Sequence, residues 1–270
     1  MKIADNHRLK EFGTSGRVLW HETDINNKLR PHSFMNRVQE LANEHASKLK
    51  FGYDELMRLD QVWVLSRFRA KFKKYPEWRD KIFTETWHKG KQGIFGLRDF
   101  ALFIENGDEN YSSATLSEAA ITATSSWLII NTKTRKIERN NAFNTSEEAN
   151  SLANMVDAVE EPCEKLHAPD NLIKGGEHNV SYSDLDFNMH ANNAKYIEWL
   201  MDIIDIEVLK YFTLKEFQIN FITEAKVGDK VEIFTNFHSE MLTAERAGKN
   251  SFYFEGRKET SIIFEAELVF

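Results

Sequence analysis

One pattern of residues occurs twice in this chain of 270 residues, at a spacing of 162 positions. The stretch "TDINNKLRPHSFMNRVQELANEHASKL" at 23–49 matches "LDFNMHANNAKYIEWLMDII" at 185–204. Asp24 falls on Asp186, Asn26 on Asn188, Lys28 on His190, Phe34 on Tyr196, Met35 on Ile197 and Val38 on Leu200. Self-similarity at a fixed spacing restricts a chain to architectures that use one supersecondary unit more than once.

Both copies continue into amphipathic helices. Met35, Val38, Leu41, Ala42, His45 and Leu49 mark one inward face, and Ile197, Leu200, Met201 and Ile204 the other. Strands follow each helix. "VWVLSRFRAKFKKY" alternates Val64, Ser66, Phe68, Ala70 and Phe72 against Leu65, Arg67, Arg69, Lys71 and Lys73, the period-two pattern of a half-buried strand. "FQINF" sets Phe217, Ile219 and Phe221 against Gln218 and Asn220 in the same way. "DKIFTETW" from residue 80 is echoed by "DKVEIFTNF" from 229. Further strand candidates are "GIFGLRDFALFI" and "AAITATSSWLII" in the first half, and "SFYFEGR" and "SIIFEAELVF" in the second. This order predicts an α+β chain of two units, each a helix followed by several mostly antiparallel strands. The polar, acidic stretch between them reads as a long connection with a short helix near 147–158. The expected division is an N-terminal unit at 1–135, a linker at 136–177 and a C-terminal unit at 178–270. A long crossover lets the two units dock into one pseudo-symmetric body.

Composition narrows the function classes. A net charge of −7 argues against nonspecific nucleic-acid binding, which needs a concentrated basic surface. No window approaches the roughly 18 consecutive apolar residues of a membrane span, and the opening "MKIADNHRLKEFG" lacks the apolar stretch of a signal peptide. The expected location is therefore the cytoplasm. The lone Cys163 agrees, since it has no internal disulfide partner, and no Cys/His cluster has zinc-ligand spacing.

The polar stretch "SDLDFNMHANNAKYIEWL" at 183–200 is the densest candidate site. A buried, unpaired polar group costs roughly 1–3 kcal/mol, so such a cluster needs a purpose or an exposed location. Helix capping accounts for Asn192 or Asn193, as it does for Ser33 in the first copy. It does not account for Asp186, Asn188 and His190, whose alternate spacing in an extended or turning segment aims all three side chains to one side. A histidine before a helix N-terminus feels the helix dipole and a neighbouring aspartate, and free helix amides can stabilise an oxyanion. Those are parts of an acyl-transfer or hydrolysis site.

The same stretch resembles the signature of the plant-type fatty acyl-acyl-carrier-protein thioesterases, and "TSSWLIINTKTRKIER" at 124–139 resembles another block of that family. The similarity spans nearly the whole chain, in the family's order. It implies a tandem hotdog fold, each unit a long helix wrapped by a curved antiparallel sheet. It implies catalytic roles for Asp186, Asn188 and His190, and adds Glu224 in "NFITEAKVGDKV". Where plant members commonly carry a cysteine after that glutamate, this chain has Ala225, so the resemblance does not bring a Cys/His mechanism with it. At a second spacing of 149, Phe68 falls on Phe217, Phe72 on Phe221 and Tyr75 on Glu224. The first copy thus has Lys28 and Tyr75 in place of His190 and Glu224, the two groups able to move protons near neutral pH. Only the C-terminal unit is expected to be catalytic.

The resemblance implies hydrolysis of a fatty acyl thioester on acyl carrier protein by a bacterial relative without a transit peptide. In one version Glu224 and His190 activate water, Asn188 orients the water or carbonyl, and amides near Asn192 hold the oxyanion. In another, Asp186 attacks directly and forms an anhydride. Neither needs a metal or organic cofactor. Met35, Val38, Val64 and Phe68 are candidate acyl-chain contacts. Trp127 and Trp199 read as core. Arg67, Arg69, Lys71, Lys73 and Lys74 are a candidate row for steering an acidic carrier protein. Two fused units already form an intramolecular dimer, and hotdog proteins often associate further, so a homodimer is compatible with this reading. A non-hydrolytic acyl-chain binding protein and a 3-hydroxyacyl dehydratase or isomerase are the alternatives.

Overall fold

The repeat becomes a pair of units, each a helix laid against an antiparallel sheet. The structure, a computed structural model, describes residues 11–105, 115–139, 153, 156–238 and 251–270. The first unit runs β1 (Glu11–Arg17), α1 (Pro31–Lys48), α2 (Tyr53–Met57), β2 (Gln61–Phe72), β3 (Lys81–Gln92), β4 (Phe95–Ile104) and β5 (Ile121–Asn131). The second runs β6 (Ile173–Asn179), α3 (Asn193–Asp202), α4 (Ile206–Tyr211), β7 (Glu216–Phe221), β8 (Lys230–Thr235), β9 (Ser251–Lys258) and β10 (Ser261–Val269). All ten strands join one sheet in the order β1-β3-β4-β5-β2-β7-β10-β9-β8-β6. Read inward from either edge, that order is the same succession of equivalent strands, so a pseudo-twofold axis passes between β2 and β7. This is the tandem hotdog arrangement.

The seam is an antiparallel pairing from Arg67 opposite Asn220 to Lys71 opposite Glu216. On its inner face Phe68 stacks on Phe217 at 5.8 Å, and Phe34 of α1 reaches Phe72 at 5.9 Å. Tyr196 of α3 packs edge-on against Phe264 at 5.2 Å. Such large, wholly enclosed aromatic surfaces carry much of the apolar burial that holds the units together. The outer face is covered by the connection. The side-chain amides of Gln218 and Asn220 donate to the Glu164 carbonyl at 2.7 and 3.0 Å, and Arg67 donates to the Cys163 carbonyl at 2.9 Å. Gln218 and Asn220 are therefore buried, although alternation had set them on the polar side.

Several expectations are corrected in detail. The pairing of β2 with β5 shifts register between Leu65 and Arg67. The bulge inserts one residue at Ser66 and reverses the inward parity, so Leu65 is buried and Val64 only half-buried. α1 begins at Pro31 with Arg30 at its N-cap, and Ser33 lies inside the helix. Proline presets the helical φ and lacks the amide that a side-chain cap would satisfy. α3 begins as expected, with the Asn192 side chain accepting from the Ala194 amide at 2.9 Å. Strand β6 starts at Ile173, within the span assigned to the linker. Most of the expected helix at 147–158 lies outside the described residues.

Candidate active site

The loop before α3 is shaped by one carboxylate. Asp186 Oδ1 accepts from the amides of Asn188 at 2.9 Å and His190 at 3.3 Å, and the Asp186 amide donates to the His190 carbonyl at 2.8 Å. Met189 takes φ +64° to close the turn. The first copy repeats this geometry. Asp24 Oδ1 accepts from the amides of Asn26 at 2.8 Å and Lys28 at 2.9 Å, and Asn27 sits at φ +64°. Asp186 therefore performs the loop-forming task that Asx residues carry out in turns. This task belongs to both units.

The second units' own chemistry lies in what the loop presents. His190 Nε2 is 3.1 Å from Glu224 Oε2. Backbone bonds fix the distance: the Ala191 amide donates to the Ala225 carbonyl at 2.9 Å, and the Ala225 amide donates to the Tyr196 hydroxyl at 3.2 Å. Burial pushes the Tyr196 phenol up to about 12. The hydroxyl that supports the Glu224 segment thus stays protonated. In the first unit the corresponding side chains are spent on structure. Asn26 donates to the Leu209 carbonyl at 2.7 Å, Lys28 to the Thr213 hydroxyl at 2.9 Å and Tyr75 to the Leu214 carbonyl at 2.6 Å.

Behind the loop, Asp184 accepts from the Ser181 amide and the Trp199 indole, with His178 Nε2 at 2.9 Å from its carboxylate. Burial pushes the Asp184 carboxyl up, but these bonds outweigh it and hold the group below the usual carboxylate value. Trp199 is core, as expected.

A cavity of about 230 Å³ opens against the loop that carries His190. Its walls come from the first unit, including Ala42 and Ala46 of α1, Tyr53 of α2, Val62 and Trp63 of β2 and Leu97 of β4. The second unit contributes Phe187 and Asn188 from the loop before α3, and Phe187 meets Tyr53 edge-on at 5.4 Å. Trp127, expected in the core, lines this cavity. Met35, Val38 and Phe68 are instead sealed in the core, and Val64 is also absent from the cavity wall. The helix face turned to the cavity is the stripe of Gln39, Ala42, Asn43 and Ala46, and the bulge rotates β2 out of the expected phase. Part of the wall is polar: Arg98 lies 2.9 Å from His45 Nδ1 and donates to the Thr86 hydroxyl at 3.1 Å. Burial lowers Arg98 to about 10, and burial together with Arg98 lowers His88 to about 4, which keeps that imidazole neutral.

Three other expectations meet the structure here. Amides at the start of α3 are taken up, Ala194 by the Asn192 side chain and Lys195 by the Asn192 carbonyl. Asn188 is exposed on the cavity wall. The basic residues on and just after β2 are engaged: Arg69 pairs with Glu216, Lys71 with Glu161, and Lys73 with the Ser117 carbonyl. Cys163 is buried on the outer face against Thr124, and its thiol is pushed up to about 12 by burial. Arg135, in the turn after β5, pairs with Glu224 Oε2 and was not singled out by the sequence, although it lies in the block 124–139. Among the described residues there is no cluster of three or more His, Cys, Asp or Glu able to hold a metal ion.

Fold and site together define a tandem hotdog protein in which the loop carrying the His190–Glu224 pair borders a cavity that both units build. The chain belongs to the acyl-ACP thioesterase family: the family's N-terminal domain matches residues 10–142 and its C-terminal domain residues 169–266. It is 27% identical over 255 residues to oleoyl-acyl carrier protein thioesterase 2, chloroplastic, of Arabidopsis thaliana, covering 84% of this chain and 64% of that one. It is also 27% identical over 251 residues to a chloroplastic acyl-[acyl-carrier-protein] hydrolase of Cuphea viscosissima, covering 86% and 57%. The chain thus spans less than two thirds of the length of these plant relatives. Among solved structures, an acyl-ACP thioesterase from Bacteroides thetaiotaomicron superposes with a TM-score of 0.79 at 23% identity, over 96% of this chain and 97% of that one. The 12:0-ACP thioesterase from Umbellularia californica gives 0.76 at 20% identity, over 96% of both chains. At these identities the structural likeness establishes the fold.

Proposed function

We propose that the protein hydrolyses fatty acyl-acyl carrier protein thioesters to free fatty acid and holo-acyl carrier protein. The observation that carries this is the His190–Glu224 pair at 3.1 Å, with Asn188 beside it on the wall of a largely apolar cavity. Glu224 and His190 take a proton from water, whose oxygen attacks the thioester carbonyl. Asn188 donates to the carbonyl oxygen as it gains charge. Collapse breaks the carbon–sulfur bond, and the proton held by the pair passes to the departing thiolate. Asp186 acts through the loop it closes, since Asp24 makes the same bonds in a unit that lacks the pair.

Release of free thiol from acyl carrier proteins loaded with chains of graded length tests the reading. Thiol release supports it; acyl binding without release means a carrier, and loss of water from a 3-hydroxyacyl chain means a dehydratase. Placement in the cytoplasm fits the reduced, buried Cys163, and among the described residues no helix is long and apolar enough to cross a membrane.

Two substitutions extend the test. Ala46→Phe fills cavity space, and each methylene denied burial forfeits about 0.8 kcal/mol, roughly fourfold in kcat/KM. Long-chain substrates should lose more than short ones, whereas an equal loss at every length would place the chain elsewhere. Cys163→Ser is expected to leave the hydrolysis rate unchanged, because a thiol at about 12 on the far face of the sheet takes no part.

A further inference from the structure

We infer that Arg135 of the N-terminal unit is a positioning residue for the site on the C-terminal unit. This rests on the hydrolase reading above. Glu224 lies on the loop between β7 and β8, with its side chain 34% exposed. A carboxylate so placed has rotamers to choose from and water to bind, and only some of its orientations face His190. Arg135 removes that freedom. Its guanidinium Nη2 donates to the same Oε2 that lies 3.1 Å from His190 Nε2. The arginine bond and the His190 contact converge on Oε2, which pins that end of the carboxylate and leaves Oε1 to accept the proton from water.

The arginine is itself held by a built turn. Asn131 Oδ1 accepts from the amides of Lys133 and Thr134, both at 3.0 Å, and the Arg135 amide donates to the Asn131 carbonyl at 2.9 Å. The Asn131 amide donates to the Lys136 carbonyl at 2.9 Å, and the Thr132 amide to the Asp60 carbonyl at 2.8 Å. The turn is thereby anchored to β5 and to the segment ahead of β2. In the first unit the residue in Glu224's place is Tyr75, whose hydroxyl already has the Leu214 carbonyl as acceptor. The site is thus composite in its chemistry as well as in its cavity.

The test uses the full chain, with Arg135→Met and Arg135→Lys compared with the native protein on acyl carrier protein substrates and on a small acyl thioester. A misplaced general base costs roughly 10- to 100-fold in rate. Arg135→Met should lose that in kcat on both substrates with KM little changed and melting temperature unaltered, and Arg135→Lys should recover part of it. Unchanged kcat in Arg135→Met would overturn the assignment and leave a surface ion pair. A rise in KM alone, confined to the carrier-protein substrate, would reassign Arg135 to docking. Absence of thiol release by the native protein would overturn the hydrolase reading, and this inference with it.

Discussion

Glu224→Gln and His190→Ala should each lower kcat for thioester cleavage by about 10²- to 10⁴-fold, the range in which a positioned acid–base group contributes. Glutamine keeps the size of Glu224 and can still meet Arg135, but it cannot take a proton. Alanine at 190 removes the partner 3.1 Å from Oε2. The two losses should not add in the double variant, because members of one proton-transfer unit fail together. Lys28 and Tyr75 hold the equivalent places in the first unit and serve as internal controls. Replacing Lys28 by Met removes a bond to Thr213 and should leave kcat near native. Steady-state kinetics of thiol release across this set decides the matter; a Glu224→Gln variant with native kcat would contradict it.

The second large effect concerns stability. Phe68 is wholly buried at the seam, stacked on Phe217 at 5.8 Å and 6.0 Å from Phe100. Phe68→Ala removes the transfer energy of the ring and leaves a cavity, together about 3–5 kcal/mol. For a domain of this size the loss corresponds to a fall of roughly 10 °C in melting temperature. Val64→Ala, on the same strand but before the bulge and only half-buried, is expected to cost about 1 kcal/mol. Thermal unfolding of the pair distinguishes the sealed core from a half-buried position on the same strand, and equal losses would mean that the bulge does not set the inward parity.

The repeat made the architecture legible because each helix and each buried strand carries its period in its own residues. Edge strands do not. "EFGTSGR" and "IKGGEHN" show no apolar alternation, since each has a single neighbour strand. Gly13 lies where a Cβ would meet the Phe83 ring at 2.3 Å, and Gly176 where it would meet Ile203 at 2.5 Å. The signal was nonetheless present: carried upstream, the spacing of 162 sets Glu11–Arg17 on Ile173–Asn179, which are β1 and β6. The bulge at Ser66 was hidden because an inserted residue looks like unbroken alternation until the partner strand is known. At the site, the sequence pointed to Asp186, Asn188, His190 and Glu224. It could not show that Asp186 is taken up by backbone amides, or that Arg135 comes from 89 residues away to meet Glu224. Such contacts depend on the docking of two units. The acyl-chain candidates chosen from periodicity fell into the core for the same reason, because which stripe of α1 faces a cavity is set by what α2 and β4 leave uncovered.

The most direct test of the central claim is a single turnover in ¹⁸O-water, with enzyme in excess over an acyl carrier protein thioester, followed by mass spectrometry of the fatty acid and of the peptide containing Asp186. Water activated by Glu224 and His190 predicts one solvent oxygen in the released fatty acid and none in Asp186. Solvent oxygen in Asp186 would contradict it and make that carboxylate the nucleophile.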